Sequence, residues 1–137
     1  MRIGGIFIPV TDLERSIEWY VDCLGLKLVD RWPEGAGAGF TFENGEAGLG
    51  LVKVETKQPT EFRVSSTYQN CYYNFNPENV QGMHQFLKNK GVKVTEIEDH
   101  SLMVGFEFFD PDGNPFSAVQ NNPQSPYYRP FKKKEKM

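Results

Sequence analysis

Two histidines, His84 and His100, and two cysteines, Cys23 and Cys71, are the only imidazoles and thiols in this 137-residue chain. A thiol acts as a nucleophile when a base is positioned beside it. His84 falls in a predicted helix and His100 in a predicted loop, so neither is placed by the sequence next to Cys23 or Cys71. Glu107, Asp110 and Asp112 cluster near a predicted hairpin, but without an imidazole partner they read as surface or turn residues. No two carboxylates have a spacing that argues for paired general acid and base work. The segment Pro33-Glu34-Gly35-Ala36-Gly37-Ala38-Gly39 has the composition of a phosphate loop, yet it leads into the strand-like Phe40–Glu43 and lacks a following Lys-Ser or Lys-Thr. With no helix N-terminus to offer a phosphate, it reads as a flexible cover beside Trp32 and Phe40, or as a plain connection.

Composition narrows the partners. The formal charge of -3 argues against nucleic acid, which needs clustered Lys and Arg across a face. The one basic run, Lys132 to Lys136, is broken by Glu135 and reads as a solvated tail. No signal-peptide pattern and no apolar run near membrane-spanning length is present, so the expectation is a soluble cytoplasmic protein that engages no membrane. Aromatic residues make up 14% of the chain, enough for a large contact surface on a small domain.

The elements that must position such a surface can be read from periodicity. Ile3–Val10 alternates as a strand, with Ile6, Ile8 and Val10 on one face and Gly5, Phe7 and Pro9 on the other. Thr11 or Asp12 can cap a helix running to Leu24, where Leu13, Ile17, Tyr20 and Leu24 form a stripe and Gly25 ends it. Leu26–Trp32 reads as a strand, and Phe40–Glu43 with Gly48–Val54 as a hairpin around Asn44-Gly45. The order then repeats: strand Asn70–Asn76, helix Glu78–Lys90, strand Val92–Ile97, and a hairpin of Leu102–Phe109 with Phe116–Gln120 around Asp112-Gly113. Gly25-Leu26-Lys27-Leu28 matches Gly91-Val92-Lys93-Val94, and Ile17 and Tyr20 precede their glycine as Met83 and Phe86 precede theirs. These matches predict an internal duplication: one domain over residues 1–121, made of modules at about 1–56 and 68–121, with a linker at 57–67 and a tail at 122–137.

The run Val10-Thr11-Asp12-Leu13-Glu14-Arg15-Ser16-Ile17-Glu18-Trp19-Tyr20, followed by Leu24-Gly25-Leu26, resembles the opening of the vicinal oxygen chelate superfamily. Its members include glyoxalases, extradiol dioxygenases and bleomycin-resistance proteins. Asp110-Pro111-Asp112-Gly113-Asn114 resembles the turn before the family's last strand, and the similarity covers about Ile3 to Gln120. The resemblance implies an α+β fold of two tandem βαβββ modules with curled mixed sheets forming a cavity, commonly assembled as a homodimer. In metal-dependent relatives four inward side chains, usually His or Glu, hold one divalent ion. The matching positions here are Gly5, Gly50, Tyr72 (or Cys71 if the alignment slips by one) and Ser117. Gly5 to Gly50 and Tyr72 to Ser117 span equal stretches of chain, which supports the placement. Glycine has no donor atom, and neutral Ser or Tyr is a poor ligand for zinc, nickel or ferrous iron.

The expectation is therefore a metal-independent protein that binds or sequesters a small aromatic or amphipathic molecule, with no cofactor and no assigned catalytic residue. Glycines in the cavity wall would enlarge it. Phe7, Trp32, Gly50, Val52, Tyr72, Asn74, Ser117 and Val119 are the candidate lining. A helix-facing row of Cys71, Tyr73 and Phe75 would leave Tyr72, Asn74 and Asn76 toward the cavity. The alternatives are a glyoxalase-type metal-dependent lyase, isomerase or dioxygenase, and a regulatory dimer without a ligand.

Overall fold

The computed structural model describes residues 1–43, 45 and 47–131. Asn44 of the expected Asn44-Gly45 turn and the basic run Lys132 to Lys136 lie outside the described residues. The chain divides into two compact units, one comprising Met1–Tyr72 with Phe109–Pro115, the other Tyr73–Phe108 with Phe116 onward.

In the first unit, β1 (Gly5–Val10), α1 (Leu13–Leu24), β2 (Lys27–Arg31), β3 (Gly37–Thr41) and β4 (Gly48–Lys53) follow in order. The sheet order is β1-β4-β3-β2, with β1 parallel to β4 and the other neighbours antiparallel. Asp12 is the residue that caps α1, accepting from the Arg15 amide at 3.1 Å. Gly25 ends the helix at φ 66°, where its N–H reaches the carbonyls of Tyr20 and Val21. That left-handed conformation is costly for any residue with a Cβ. Leu13, Ile17 and Tyr20 face Ile8, Val10, Ala38, Phe40, Leu49 and Leu51, and all are buried. Two further strands, β5 (Glu61–Arg63) and β6 (Gln69–Cys71), form a separate antiparallel hairpin. β5 lies within the segment expected to be a linker.

The second unit contains β7 (Asn74–Phe75), α2 (Val80–Asn89), β8 (Glu98–Asp99), most of β9 (Met103–Phe109) and most of β10 (Pro115–Asn121). Its order is β7-β10-β9-β8, with β7 parallel to β10. Phe116 is ringed by Phe75 and Phe108 at 5.2 and 5.5 Å between centroids, and Val80 and Leu87 of α2 are fully buried. The expected strand over 70–76 is broken, because Cys71 is drawn into the hairpin opposite Glu61 while Phe75 enters the phenylalanine core. The row of Cys71, Tyr73 and Phe75 therefore does not exist. Within the expected strand Val92–Ile97 only Val94 is bridged, to Phe108.

The protein is thus α+β, with two mixed sheets that each carry one helix. The expectation of curled sheets forming a cavity is corrected. Both four-stranded sheets are open, with free edges at β1 and β2 in one and at β7 and β8 in the other. Each sheet has only four strands, and β7 and β8 are two residues long.

The segment from Asp110 to Asn114 belongs to the first unit and is a turn, as one of its two readings had it, but a buried one. Asp110, Asp112 and Asn114 are each at most 5% exposed. The Asp110 carboxylate accepts from the Tyr20 hydroxyl (2.7 Å), the Asn114 side-chain amide (2.7 Å) and the backbone amides of Asp112 (2.9 Å) and Asn114 (2.8 Å). Asn114 also donates to the Pro9 carbonyl at 3.0 Å and accepts from the Thr60 hydroxyl at 2.9 Å. Asp112 accepts from the amide and hydroxyl of Thr11 and lies 3.6 Å from the Arg15 guanidinium. Burial raises the pKa of Asp110, and its hydrogen bonds from Tyr20, Asn114 and Asp112 pull the other way. Burial and the Asp110 carboxylate hold the Tyr20 phenol well above its ordinary value, so Tyr20 remains a donor.

Two outcomes test this network. Tyr20→Phe strips one donor from a buried carboxylate and should cost about 1–3 kcal/mol in urea denaturation. The folded pKa of Asp110 lies above the ordinary 3.8, so its contribution is full below that value and is lost as pH rises through the folded pKa. The stability of the wild type relative to Asp110→Asn should therefore fall as pH rises from the acid side. A difference that grows with pH over that window would contradict the assignment.

Candidate functional site

The sheet of the first unit has a second face, opposite α1. Alternation along β1 turns Phe7 and Pro9 to this side while Ile8 and Val10 face the helix. Register then sets Phe7 beside Gly50 and Gly50 beside Gly39, and Pro9 beside Val52 and Val52 beside Gly37. A phenylalanine and a valine are thus left among glycines.

Trp32 occupies the space those glycines leave. A Cβ on Gly37 would stand 2.4 and 2.5 Å from the Cε3 and Cζ3 atoms of the Trp32 ring, and one on Gly50 would stand 3.1 Å from its Cη2. The Gly50 position is also only 2.8 Å from Phe7 Cδ1. The two rings are 6.4 Å apart and inclined at 55°. The Trp32 amide donates to the Gly37 carbonyl at 2.9 Å, closing the short 3-10 turn Pro33–Gly35. Phe7 nevertheless remains 62% exposed, so one ring of this shelf is offered to solvent.

Two expectations are corrected here. Gly50 does not enlarge a cavity, because the Phe7 and Trp32 rings already lie over it. The segment Pro33–Gly39 is not a loose cover, because β3 begins at Gly37 and its glycines seat the indole.

The other expected lining residues are distributed as follows. Tyr72 follows β6 and is 58% exposed, with its ring 5.2 Å from Phe62. By strand alternation it shares one side of the hairpin with Phe62, Val64 and Tyr68, all largely exposed. Asn74 and Ser117 are register partners in the second unit. The Val119 carbonyl there accepts from the Asn76 side chain at 2.8 Å. Val119 also borders an open hollow of about 250 Å³ together with Asn76, Gln120, Tyr128 and Phe131. This places part of the expected tail against the second unit, which its weak periodicity did not signal.

These observations can be set beside known proteins. Residues 2–117 match the model of the glyoxalase/bleomycin resistance protein/dioxygenase superfamily. The chain belongs to that superfamily. It is 30% identical over 126 residues to the uncharacterized protein YraH of Bacillus subtilis (strain 168), covering 83% of this chain and 94% of that protein. Its fold is similar to that of TnmS3, an antibiotic binding protein from Streptomyces sp. CB03234, with a TM-score of 0.73 and 21% identity over 89% of this chain and 98% of that one. A superfamily member from Sphaerobacter thermophilus DSM 20745 gives a TM-score of 0.72 with 19% identity, covering 88% and 98%.

The four positions that the resemblance matches to metal ligands, Gly5, Gly50, Tyr72 (or Cys71 if the alignment slips by one) and Ser117, hold no His, Asp or Glu. Gly5 and Gly50 carry no donor, Tyr72 and Ser117 offer neutral hydroxyls, and at Gly50 the space for a donor is taken by two rings. Among the described residues no group of three or more His, Cys, Asp or Glu side chains comes together in a way that could hold a metal ion. His84 Nε2 is 2.8 Å from the Thr95 carbonyl and its ring meets Phe106 edge-on, while His100 pairs with Glu98 at 3.0 Å. Among the described residues no helix is long and apolar enough to cross a membrane.

The seat makes a spectroscopic prediction. In a Trp19→Phe background Trp32 is the sole tryptophan. Gly50→Leu should then lift the indole, giving red-shifted emission and stronger acrylamide quenching, with a stability loss of about 1–3 kcal/mol from overpacking. An unchanged spectrum would mean that the ring does not rest on Gly50.

Proposed function

We propose that this protein binds a small planar aromatic molecule without a metal ion and holds it rather than transforming it. The observation that carries the reading is the exposed Phe7 ring beside a Trp32 indole seated on glycine. Rings fixed in this way offer stacking surface at little further cost in side-chain entropy, and aromatic pairs contribute roughly 0.5–1.5 kcal/mol beyond area burial. Val52 extends the apolar edge, and Tyr72 supplies a further exposed ring in the same unit. Asn74, Ser117 and Val119 lie in the second unit, and the proposal does not depend on them. The described relative TnmS3 is an antibiotic binding protein, which supports a binding role on this fold. A metal-dependent lyase or dioxygenase would need donors that the four positions lack.

The test is a titration with planar tricyclic probes (9-aminoacridine, 9-anthracenemethanol and anthracene-9-carboxylate), read by quenching of Trp32 in the Trp19→Phe protein. At least one should give saturable quenching, and Phe7→Ala should weaken it about tenfold, the equivalent of about 1.4 kcal/mol. No saturable quenching by any probe would sink the reading.

We also propose a homodimer, supported by the exposed hairpin side bearing Phe62, Val64, Tyr68 and Tyr72 and by the open sheet edges. Sedimentation at micromolar concentration should show about twice the chain mass, and a persistent monomer would refute it.

A further inference from the structure

We propose that the shelf selects a positively charged aromatic ligand, and that the Asp30 carboxylate is the group that selects it. This rests on the reading of the shelf as a binding surface and adds the ligand's charge.

The placement of Asp30 comes from a fault in the strand ladder. Lys27 pairs with Thr41 and Leu28 with Phe40, so regular pairing would set Val29 opposite Gly39. A register shift between Leu28 and Asp30 instead sets Asp30 there. Bulges of this kind re-aim side chains. Here the effect is to leave Val29 61% exposed and to bring a carboxylate onto the shelf. Asp30 Oδ1 lies 2.7 Å from the point where a Gly39 Cβ would stand, and Trp32 Nε1 lies 3.8 Å from the same point. Gly39 thus makes room for the acid beside the indole.

That carboxylate is uncommitted. The Asp30 side chain has no hydrogen-bond or ion-pair partner among the described residues. The adjacent cation, Arg31, is paired with Glu14 of α1. Lys27, the other cation of β2, stands opposite Thr41, two residues further along β3. A planar cation stacked on Phe7 and Trp32 would gain cation–π attraction from the ring faces and a charge partner in Asp30, while an anion of the same shape would be repelled by it.

The three probes named above share a tricyclic frame and differ in charge. For the folded full-length protein, 9-aminoacridine should bind about tenfold more tightly than neutral 9-anthracenemethanol, and anthracene-9-carboxylate should bind weakest. Asp30→Asn should reduce the preference to about twofold or less while leaving affinity for the neutral probe unchanged. Phe7→Ala should weaken both the cationic and the neutral probe, the cationic one at least as much. Glu34→Gln, in the neighbouring 3-10 turn, controls for the general acidity of the region and should leave the preference intact. Saturable binding without a charge preference, a preference that survives Asp30→Asn, or equal loss in Glu34→Gln would each overturn the inference while leaving the aromatic shelf standing. Failure of all three probes to bind would overturn both.

Discussion

Taking a carboxylate out of water costs several kcal/mol unless donors replace the lost hydration, and the first unit is organised around the donors that Asp110 collects. They come from separate parts of the chain. Tyr20 reaches in from the last turns of α1, and the amides of Asp112 and Asn114 come from the turn itself. The Asn114 side chain bonds Asp110, the Pro9 carbonyl near the end of β1 and the Thr60 hydroxyl just before β5. The helix, the first strand and the approach to the hairpin are therefore held at one point. Tyr20 joins this point to the apolar core, because its ring lies 6.4 Å from Phe40.

With one face of the sheet anchored in this way, the other is free to follow a different rule. On the helix side, Ile8, Val10, Leu49 and Leu51 fill volume, and the requirement is density. On the far side the requirement is clearance. An indole can lie flat on a sheet only where the pleat carries no side chains, and Gly37, Gly39 and Gly50 meet that condition on neighbouring strands. These residues would ordinarily weaken β-structure. They are tolerated because the helix side of the same strands supplies the burial.

The first module was legible in the sequence because its signals are local: the alternation of Ile6, Ile8 and Val10, the stripe of Leu13, Ile17 and Tyr20, and the stop at Gly25. The second was less so. Residues 70–76 alternate like one strand, but Cys71 is claimed by a three-residue partner at Glu61–Arg63 that has no periodicity of its own. Phe7, Trp32, Gly50 and Val52 were expected to line a cavity; the Phe7 and Trp32 rings instead lie over Gly50. What their glycines were for was not readable, since composition cannot distinguish a hole from a seat until the direction of the Trp32 ring is known. The position of Asp30 was hidden for a related reason: its face depends on a bulge, and strict alternation would point Val29 there instead. That Asp110 and Asp112 lie in a turn was readable, but not that the turn is buried, because the same letters serve an exposed turn and a buried one.

The glycine at position 50 links family and function. By resemblance it stands where metal-dependent relatives carry a donor, and a donor needs a Cβ. That atom would stand 2.8 Å from Phe7 and 3.1 Å from Trp32, closer than the rings can accept without moving. A metal donor at this position would compete with the two rings for the same space. Placing histidine at position 50 would not by itself restore a metal site, because Phe7 and Trp32 would first have to give way. The superfamily's sheet supplies the platform, and the smallest residue on it decides whether an ion or a ring can be held there.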